Sequence, residues 1–184
     1  LFEGKSIHLV EDKVISVDKQ ARLIKTHKKH QIEYDALVLA LGTVTNYFGI
    51  KGLEEYSYGV KSVEDAIRLK RQLHKQLIEH KHPDLNYVVV GGGPTGIELA
   101  GVLPAYLKAI CKQHEIKKPR IHVDLIEAAP RLVPRMSKGF SKRIARHLRK
   151  LGIRLYLHTQ VTAETNDELM VNGRKILSHT VIWT

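Results

Sequence analysis

The amino-acid sequence predicts an α/β fold: a parallel sheet with helices on one side and a β-meander on the other. The first observation is an apolar run at residues 87–90, which leads directly into closely spaced glycines and is typical of a strand buried on both faces. The second is the alternation of helical periodicity with further segments that are typical of strands. These segments are residues 121–126, 153–157 and 180–183. The third is a set of short segments within residues 161–177, separated by turn residues, which predicts the meander.

The N-terminal part of the chain, residues 5–39, predicts a second β-meander with one solvent-exposed face, because its apolar and polar residues alternate in part. The segments are residues 6–10, 13–18, 22–27 and 32–41. Residues 36–41 form a continuous apolar run, so we expect a buried strand that ends at Gly42. Residues 47–58 contain glycines without a clear period and predict a loop.

The first long helix is expected to begin at Ser62. Ser62 and Asp65 have the spacing of a capping box, with Asp in place of the usual Glu. Apolar residues then recur at helical spacing: Ala66, Leu69, Leu73, Leu77 and Ile78. The helix is expected to end near Glu79, before Pro83. A strand from about Asn86 then leads into the glycines.

The glycines have the spacing G-x-G-x-x-G, which is typical of a dinucleotide-binding turn between a strand and a helix. Gly91 permits a tight turn out of the strand, Gly93 lets the backbone approach a pyrophosphate, and Gly96 lets the helix pack closely on the strand. Pro94 suits the first helical turn, where a missing N–H costs little. The N-terminus of that helix offers free N–H groups to an anion. A glycine turn that binds nothing is the alternative interpretation.

Two further helices follow. The first is predicted from Pro94 or Thr95 to about Cys111, with a kink or break at Pro104, whose ring removes a bond to the carbonyl of Ala100. The second has an apolar face formed by Phe140, Ile144, Leu148 and Leu151. Its other face carries Lys142, Arg143, Arg146 and Arg149, which we interpret as a solvated basic surface.

A ligand is expected at the carboxyl ends of the parallel strands, where the glycine turn and Glu127 meet. Glu127 ends the strand at residues 121–126, so its carboxylate can accept hydrogen bonds from the adenine ribose hydroxyls. A 2′-phosphate would be repelled there, and the two alanines that follow supply no cation. Arg131 is near enough in sequence to weaken this argument, because an arginine serves NADP sites. The prediction is a preference for NADH.

Composition limits the classes of function. The 184 residues carry a formal net charge of +11, but no basic stripe interleaved with aromatics indicates nucleic-acid binding. A single cysteine, Cys111, excludes an internal disulfide, and the scattered histidines lack metal-ligand spacing. No apolar run reaches the length of a membrane span. Because the sequence starts without Met and ends on a strand-like segment, we expect a piece of a longer protein.

Several of these stretches resemble the two-dinucleotide-binding flavoproteins. YDALVLALG is similar to their second flavin motif, with Leu41 in place of Thr. SVEDA is similar to the helix that leads into their nicotinamide domain. GGGPTGIELAG, VDLIEAAPRLVP and TVIWT are similar to the rest of that domain. Within the superfamily, the chain most resembles type II NADH dehydrogenases, because the segment from Gly96 to Glu127 is longer than the minimal fingerprint of about 20 residues. Pro104 departs from the usual family pattern.

The resemblance implies two parts: residues 1–58, a partial FAD-domain meander and linker, and residues 59–184, a Rossmann-like NAD(H)-binding domain. It also implies a role for each candidate residue. Glu98 would lie beside the nicotinamide and Val161 near the adenine. The remaining NADH-binding residues would be Gly91, Gly92, Gly93, Pro94, Thr95, Gly96 and Glu127. Those facing FAD would be Ala40, Gly42 and Thr43.

The activity implied is hydride transfer from NADH to FAD, followed by reduction of a quinone. The resemblance places the complete protein peripherally at the cytoplasmic face of a membrane, with this piece soluble, and is compatible with a homodimer. We expect the chain alone to be colourless and inactive. The alternatives are another flavoprotein of the superfamily, such as a sulfide:quinone or disulfide reductase, and a non-catalytic NADH-binding module.

Overall fold

The structure is a computed structural model that describes residues 6–79, 84–117 and 119–184. The chain divides into two compact units, Leu1–Gly42 and Thr43–Thr184. This division falls before residue 58, where the sequence suggests a boundary. Residues 43–58 group with the second unit because Lys51 bridges to Ala163 and Tyr58 bridges to Ile182.

The first unit contains a three-stranded antiparallel sheet in the order β1-β2-β3, which confirms the predicted meander. Its strands are β1 (Val14–Asp18), β2 (Leu23–Thr26) and β3 (Gln31–Glu33). The strands predicted at residues 6–10 and 36–41 are wrong, because neither segment is paired. Val38 and Leu41 are 86% and 85% exposed. A continuous apolar run forms a buried strand only where neighbouring strands and a covering layer exist, and the described part of this unit supplies neither to residues 36–41.

The second unit is built on a four-stranded parallel sheet in the order β10-β4-β5-β6. Its strands are β4 (Asp84–Val90), β5 (Arg120–Ile126), β6 (Arg154–Tyr156) and β10 (Thr180–Trp183). Its helices are α1 (Leu53–Tyr56), α2 (Val63–Glu79), α3 (Pro94–Gln113) and α4 (Lys138–Lys150). The meander is β7 (Val161–Glu164), β8 (Glu168–Val171) and β9 (Arg174–Leu177). The predicted α/β architecture is confirmed.

Residues 87–90 of the central strand β4 are buried on both faces of the sheet, which explains their continuous apolar run. Tyr87 and Val89 pack into a core with the three long helices. Val88 and Val90 point the other way, into a second core with α1 and the meander. Alternate side chains of one strand therefore bind the two outer layers to the sheet.

Helix α2 begins with the predicted capping box. The backbone N–H of Asp65 donates to Ser62 Oγ at 3.0 Å, and the N–H of Ser62 donates to Asp65 Oδ2 at 3.1 Å. This reciprocal pair satisfies two of the backbone donors that a helix start leaves without partners. The backbone N–H groups of Ser62 and Lys61 both donate to the Asp65 carboxylate and lower its pKa.

Three details of the helices differ from the sequence prediction. Residues 47–58 are not all loop, since α1 forms one turn whose Leu53 is fully buried. The sequence predicts a kink or a break at Pro104. Helix α3 continues through this residue, so a break is wrong, whereas the kink stays a prediction. The buried side chains of Leu103 and Leu107 hold the helix on the sheet on either side of the proline. In α4 the buried face is Ser141, Ala145 and Leu148, while Phe140 and Leu151 lie exposed at its margins.

Two polar groups are buried without a hydrogen-bond partner among the described residues: the Tyr87 hydroxyl and Glu164 Oε2. Glu164 ends β7 and is only 5% exposed. Burial raises the pKa of its carboxyl from 4.5 to about 8. An acid of this kind retains its proton at neutral pH, because the charged form is poorly solvated inside a protein.

Candidate dinucleotide-binding site

A cleft of about 430 Å³ lies at the carboxyl ends of β4, β5 and β10. Two chain segments outside those strand ends, around Phe48 and around Gln160, complete its walls. The lining residues are Phe48, Ile50, Val90, Gly91, Ile126, Glu127, Ala128, Thr159, Gln160, Val161, Trp183 and Thr184. The sheet therefore brings Gly91, Glu127 and Val161 together at the edge where open α/β sheets bind ligands.

The glycine turn is sterically specified at two positions. Gly91 has φ +117°, a conformation that L-residues with a side chain rarely adopt. A Cβ on Gly96 would lie only 1.9 Å from the carbonyl oxygen of Gly91. The expected tight turn and close packing of helix on strand are therefore confirmed.

The start of α3 presents backbone donors that no side chain occupies. Gly93 is the N-cap and makes no side-chain cap hydrogen bond, and the first turn carries no acidic residue. Pro94 and Thr95 are exposed. A Cβ on Gly93 would meet nothing within 4 Å, so the surface beside these donors is open. This arrangement suits an anion such as a phosphate group.

Glu127 follows β5 and its carboxylate holds the glycine loop. Oε2 accepts a hydrogen bond from the N–H of Gly92 at 2.5 Å, and Oε1 accepts one from the N–H of Ala129 at 2.6 Å. Because a carboxylate oxygen has two lone-pair positions, each oxygen can accept one further hydrogen bond. The side chain is half-buried at the wall of the cleft.

Hydrogen bonds hold the loop after Glu127 against the glycine turn and the start of α4. The N–H of Val133 donates to the carbonyl oxygen of Gly92 at 2.9 Å. The Arg131 guanidinium donates to the carbonyl oxygens of Pro134 and Met136, and at 2.9 Å to Ser141 Oγ. Arg131 is therefore engaged with the loop end and the start of α4.

Trp183 and Phe48 form an aromatic wall of the cleft that the sequence did not reveal. Their ring centroids are 6.4 Å apart in an edge-to-face arrangement, and Trp183 Nε1 donates to the carbonyl oxygen of Asn46 at 2.8 Å. Tryptophan occurs once in the sequence, at the end of a predicted strand. This position could have identified Trp183 as a residue of the site, because ligands bind at the carboxyl ends of the strands in parallel sheets.

The remaining candidate residues do not line this cleft. Glu98 is exposed on α3 and lines a separate groove of about 460 Å³ with Arg143 and His147 of α4. Ala40, Gly42 and Thr43 are exposed along an extended segment. Residues 92–96 of the glycine turn are also outside the lining of the cleft. The ligand contacts proposed for all candidate residues stay predictions.

Two kinds of feature are absent from the described part of the chain. Within those ranges, no group of three His, Cys, Asp or Glu side chains is arranged to hold a metal ion. None of the described helices has both the length and the apolar character of a membrane span.

A family model described as pyridine nucleotide-disulphide oxidoreductase matches residues 2–184. The chain belongs to this family. A type II NADH:quinone oxidoreductase from Staphylococcus epidermidis is 28% identical over 188 residues, covering 97% of this chain and 46% of that protein. The chain thus spans about half the length of the curated relatives it matches.

Solved structures of other proteins share the fold of this chain. NDH2 from Plasmodium falciparum in complex with NADH has a TM-score of 0.77 and 23% identity, covering 95% of this chain and 40% of that one. A ferredoxin reductase from Rhodopseudomonas palustris has a TM-score of 0.77 and 20% identity, covering 100% of this chain and 42% of the other. At these identities the likeness shows the Rossmann-like architecture alone.

Proposed function

We propose that this chain is the NADH-binding part of an FAD-dependent NADH:quinone oxidoreductase of type II. The observation that carries the proposal lies at the carboxyl edge of the parallel sheet. There Gly91 and Glu127 line one cleft, Glu127 is hydrogen-bonded to the glycine turn, and that turn leads into the open start of α3. The name of the Staphylococcus epidermidis relative supports the quinone as acceptor.

We propose one orientation for NADH at this edge of the sheet. The free N–H groups at the start of α3 bind the pyrophosphate beside Gly93, where no side chain intervenes. The two remaining acceptor positions of Glu127 suit the 2′- and 3′-hydroxyls of the adenine ribose. Val161 then provides apolar contact for the adenine. Glu98, on the exposed face of α3, is proposed to lie beside the nicotinamide.

FAD supplies the hydride-accepting chemistry when it is bound to the complete enzyme. This chain offers it only a small surface, because Ala40, Gly42 and Thr43 are exposed and a Cβ on Gly42 would meet nothing within 4 Å. Such a segment gives contact along one edge and no enclosure. What this chain contributes to the reaction is therefore the binding and orientation of NADH.

Three functions compete with this one. Two of them differ in the electron acceptor or the electron donor, and the third involves no electron transfer. In a disulfide reductase, a pair of cysteines would accept the electrons. That pair would lie outside this sequence, whose one cysteine, Cys111, is buried in the helix-side core. Burial also raises the pKa of the Cys111 thiol, which disfavours the reactive thiolate. A sulfide:quinone reductase would take its electrons from sulfide, and a non-catalytic module would bind NADH without oxidising it.

For the complete protein we also propose peripheral attachment to the cytoplasmic face of a membrane, in a respiratory chain, and a homodimer. The decisive experiment measures flavin content and NADH-dependent quinone reduction by the complete protein. We expect a yellow protein that reduces a soluble quinone with NADH. A colourless protein that binds NADH without oxidising it would favour the binding module, and sulfide-dependent quinone reduction would favour the sulfide enzyme.

The first prediction concerns Gly93. Its backbone is extended, with φ −76° and ψ 180°, and its Cβ position is open, so Gly93→Val should fold normally. The new side chain should occupy the path of the pyrophosphate and weaken NADH binding at least about tenfold, or ~1.4 kcal/mol. Calorimetric titration with NADH measures this, and Gly139→Val, at another open glycine, is the control. Unchanged affinity in a folded Gly93 variant would remove the phosphate role.

The second prediction concerns cofactor choice. The complete protein should prefer NADH over NADPH by at least about tenfold in kcat/KM, or ~1.4 kcal/mol. A 2′-phosphate would face the Glu127 carboxylate, and Arg131 is bonded to the loop end and cannot compensate without losing those bonds. Glu127→Ala should erode the preference mainly by weakening NADH binding. Equal kcat/KM values for the two cofactors in the wild-type protein would refute this assignment.

A further inference from the structure

One groove of the second unit lies on the helix side of the sheet, away from the dinucleotide cleft. It measures about 700 Å³ and runs between α4 and the loop after β5. We call it the basic groove, and five cationic side chains of α4 line it. These are Lys138, Lys142, Arg146, Arg149 and Lys150.

Four of these cations form one row along the helix. Lys138, Lys142, Arg146 and Lys150 follow at intervals of four residues and are all exposed. At 1.5 Å per residue the row is about 18 Å long. Like charges four apart on a helix destabilise it by roughly 0.2–0.5 kcal/mol per pair, and this row contains three such pairs.

No carboxylate relieves this repulsion. Helix α4 contains no acidic residue. Across residues 6–79, 84–117 and 119–184, none of the five cations has a carboxylate oxygen within 4 Å. A row of unneutralised charges along a concave surface is complementary to a ligand that carries several negative charges in sequence.

The base of the basic groove is apolar. Leu132 and Ala145 are buried beneath it, and Leu157 and Pro130 line its side. The volume lies within the range of about 300–1,000 Å³ that is typical of small-molecule sites. A concave site with an apolar base and a cationic rim suits a compact molecule with an apolar or planar body and a chain of phosphates.

The basic groove is separate from the dinucleotide cleft. The loop after β5 and the loop after β6 lie between the two sites and are joined by backbone hydrogen bonds. The N–H of His158 donates to the carbonyl oxygen of Ala129, and the N–H of Thr159 donates to the carbonyl oxygen of Glu127. A nucleotide in one site therefore leaves the other site open.

We propose that the basic groove is a second ligand site, for a nucleoside triphosphate, with its phosphates along the Lys138–Lys150 row and its nucleoside on the apolar base. A second copy of this chain is disfavoured as an occupant, since each copy carries a formal net charge of +11. A membrane surface is disfavoured because a flat surface would leave the base of the groove unfilled.

The test is calorimetric titration of the full chain with ATP, in the presence of saturating NADH. We expect binding that Arg146→Glu weakens at least tenfold, as does Lys142→Glu. Both variants should fold, because a glutamate in the row gains lysine or arginine neighbours four residues away; urea unfolding verifies this. Arg143→Glu makes the same charge change on the same helix, but Arg143 does not line the basic groove, so it should change ATP affinity less than twofold.

Four outcomes would overturn the proposal: no ATP binding by the wild-type protein, ATP binding abolished by saturating NADH, equal loss of affinity in Arg143→Glu, or equal affinity for inorganic tripolyphosphate and ATP. The last would show that the apolar base holds no nucleoside. If the protein does not bind ATP but sediments with phosphatidylglycerol vesicles, and if Arg146→Glu reduces that sedimentation, the groove binds a lipid surface instead.

Discussion

Gly96→Ala is expected to destabilise the protein by at least about 3 kcal/mol, the upper end of ordinary overpacking. The added Cβ would lie 1.9 Å from the Gly91 carbonyl oxygen and 2.8 Å from Thr184 Oγ1. Its nearest neighbour is backbone, which cannot rotate away as a side chain could. Either α3 moves off the sheet or the glycine turn opens, so NADH affinity should fall together with the urea midpoint of unfolding.

Gly101→Ala provides a matched control, since Gly101 lies in the same helix. The nearest atom to its Cβ would be Leu148 Cδ2 at 3.8 Å, an ordinary contact. Alanine is favoured over glycine inside a helix by up to about 1 kcal/mol, so this variant should be as stable as wild type or more so. If both variants unfolded at the wild-type midpoint, the close packing of α3 on β4 would not require glycine.

Glu164→Gln is expected to change how stability depends on pH. The native state holds the Glu164 proton up to about pH 8, whereas the unfolded chain releases it near its ordinary pKa. The unfolded state binds fewer protons in this interval, so wild-type stability falls as pH rises from about 5 to 8. Each pKa unit corresponds to about 1.4 kcal/mol, so the wild-type protein should lose roughly 3 kcal/mol more than the variant.

Urea unfolding at pH 5 and pH 8, on both proteins, measures this difference and cancels the titration of all other groups. Glu168→Gln on the neighbouring strand is the control, because Glu168 is partly exposed and paired with Lys175 at 2.7 Å. The stability of the Glu168→Gln variant should depend on pH in the same way as that of the wild-type protein. If the free energy of unfolding changed equally with pH in the wild-type protein and in Glu164→Gln, the buried carboxyl would ionise at its ordinary pKa.

The features that the sequence predicts correctly depend on local rules. The Ser62–Asp65 cap uses two side chains three residues apart, and the Gly91–Gly96 turn depends on backbone conformation within six residues. The burial of residues 87–90 of β4 on both faces follows from their continuous apolar run. In each case the information lies within one short segment of the chain.

The features that it misses depend on distant partners. The run at residues 36–41 has the composition of a buried strand, but pairing depends on neighbours, not on composition. The hydrogen bond from Gly92 to Glu127 uses a backbone donor, which no residue type identifies. Likewise, the Phe48–Trp183 wall joins residues from opposite ends of the second unit. The ligand contacts of Glu98, Ala40, Gly42 and Thr43 stay predictions for the same reason.

The position of Trp183 has a practical consequence for spectroscopy. As the sole tryptophan of the chain, it accounts for all of the indole fluorescence, and it lines the dinucleotide cleft. The absorption band of reduced nicotinamide overlaps indole emission, so a bound NADH quenches this signal by energy transfer. Occupancy of the cleft can thus be followed by intrinsic emission, without a label and without catalytic turnover.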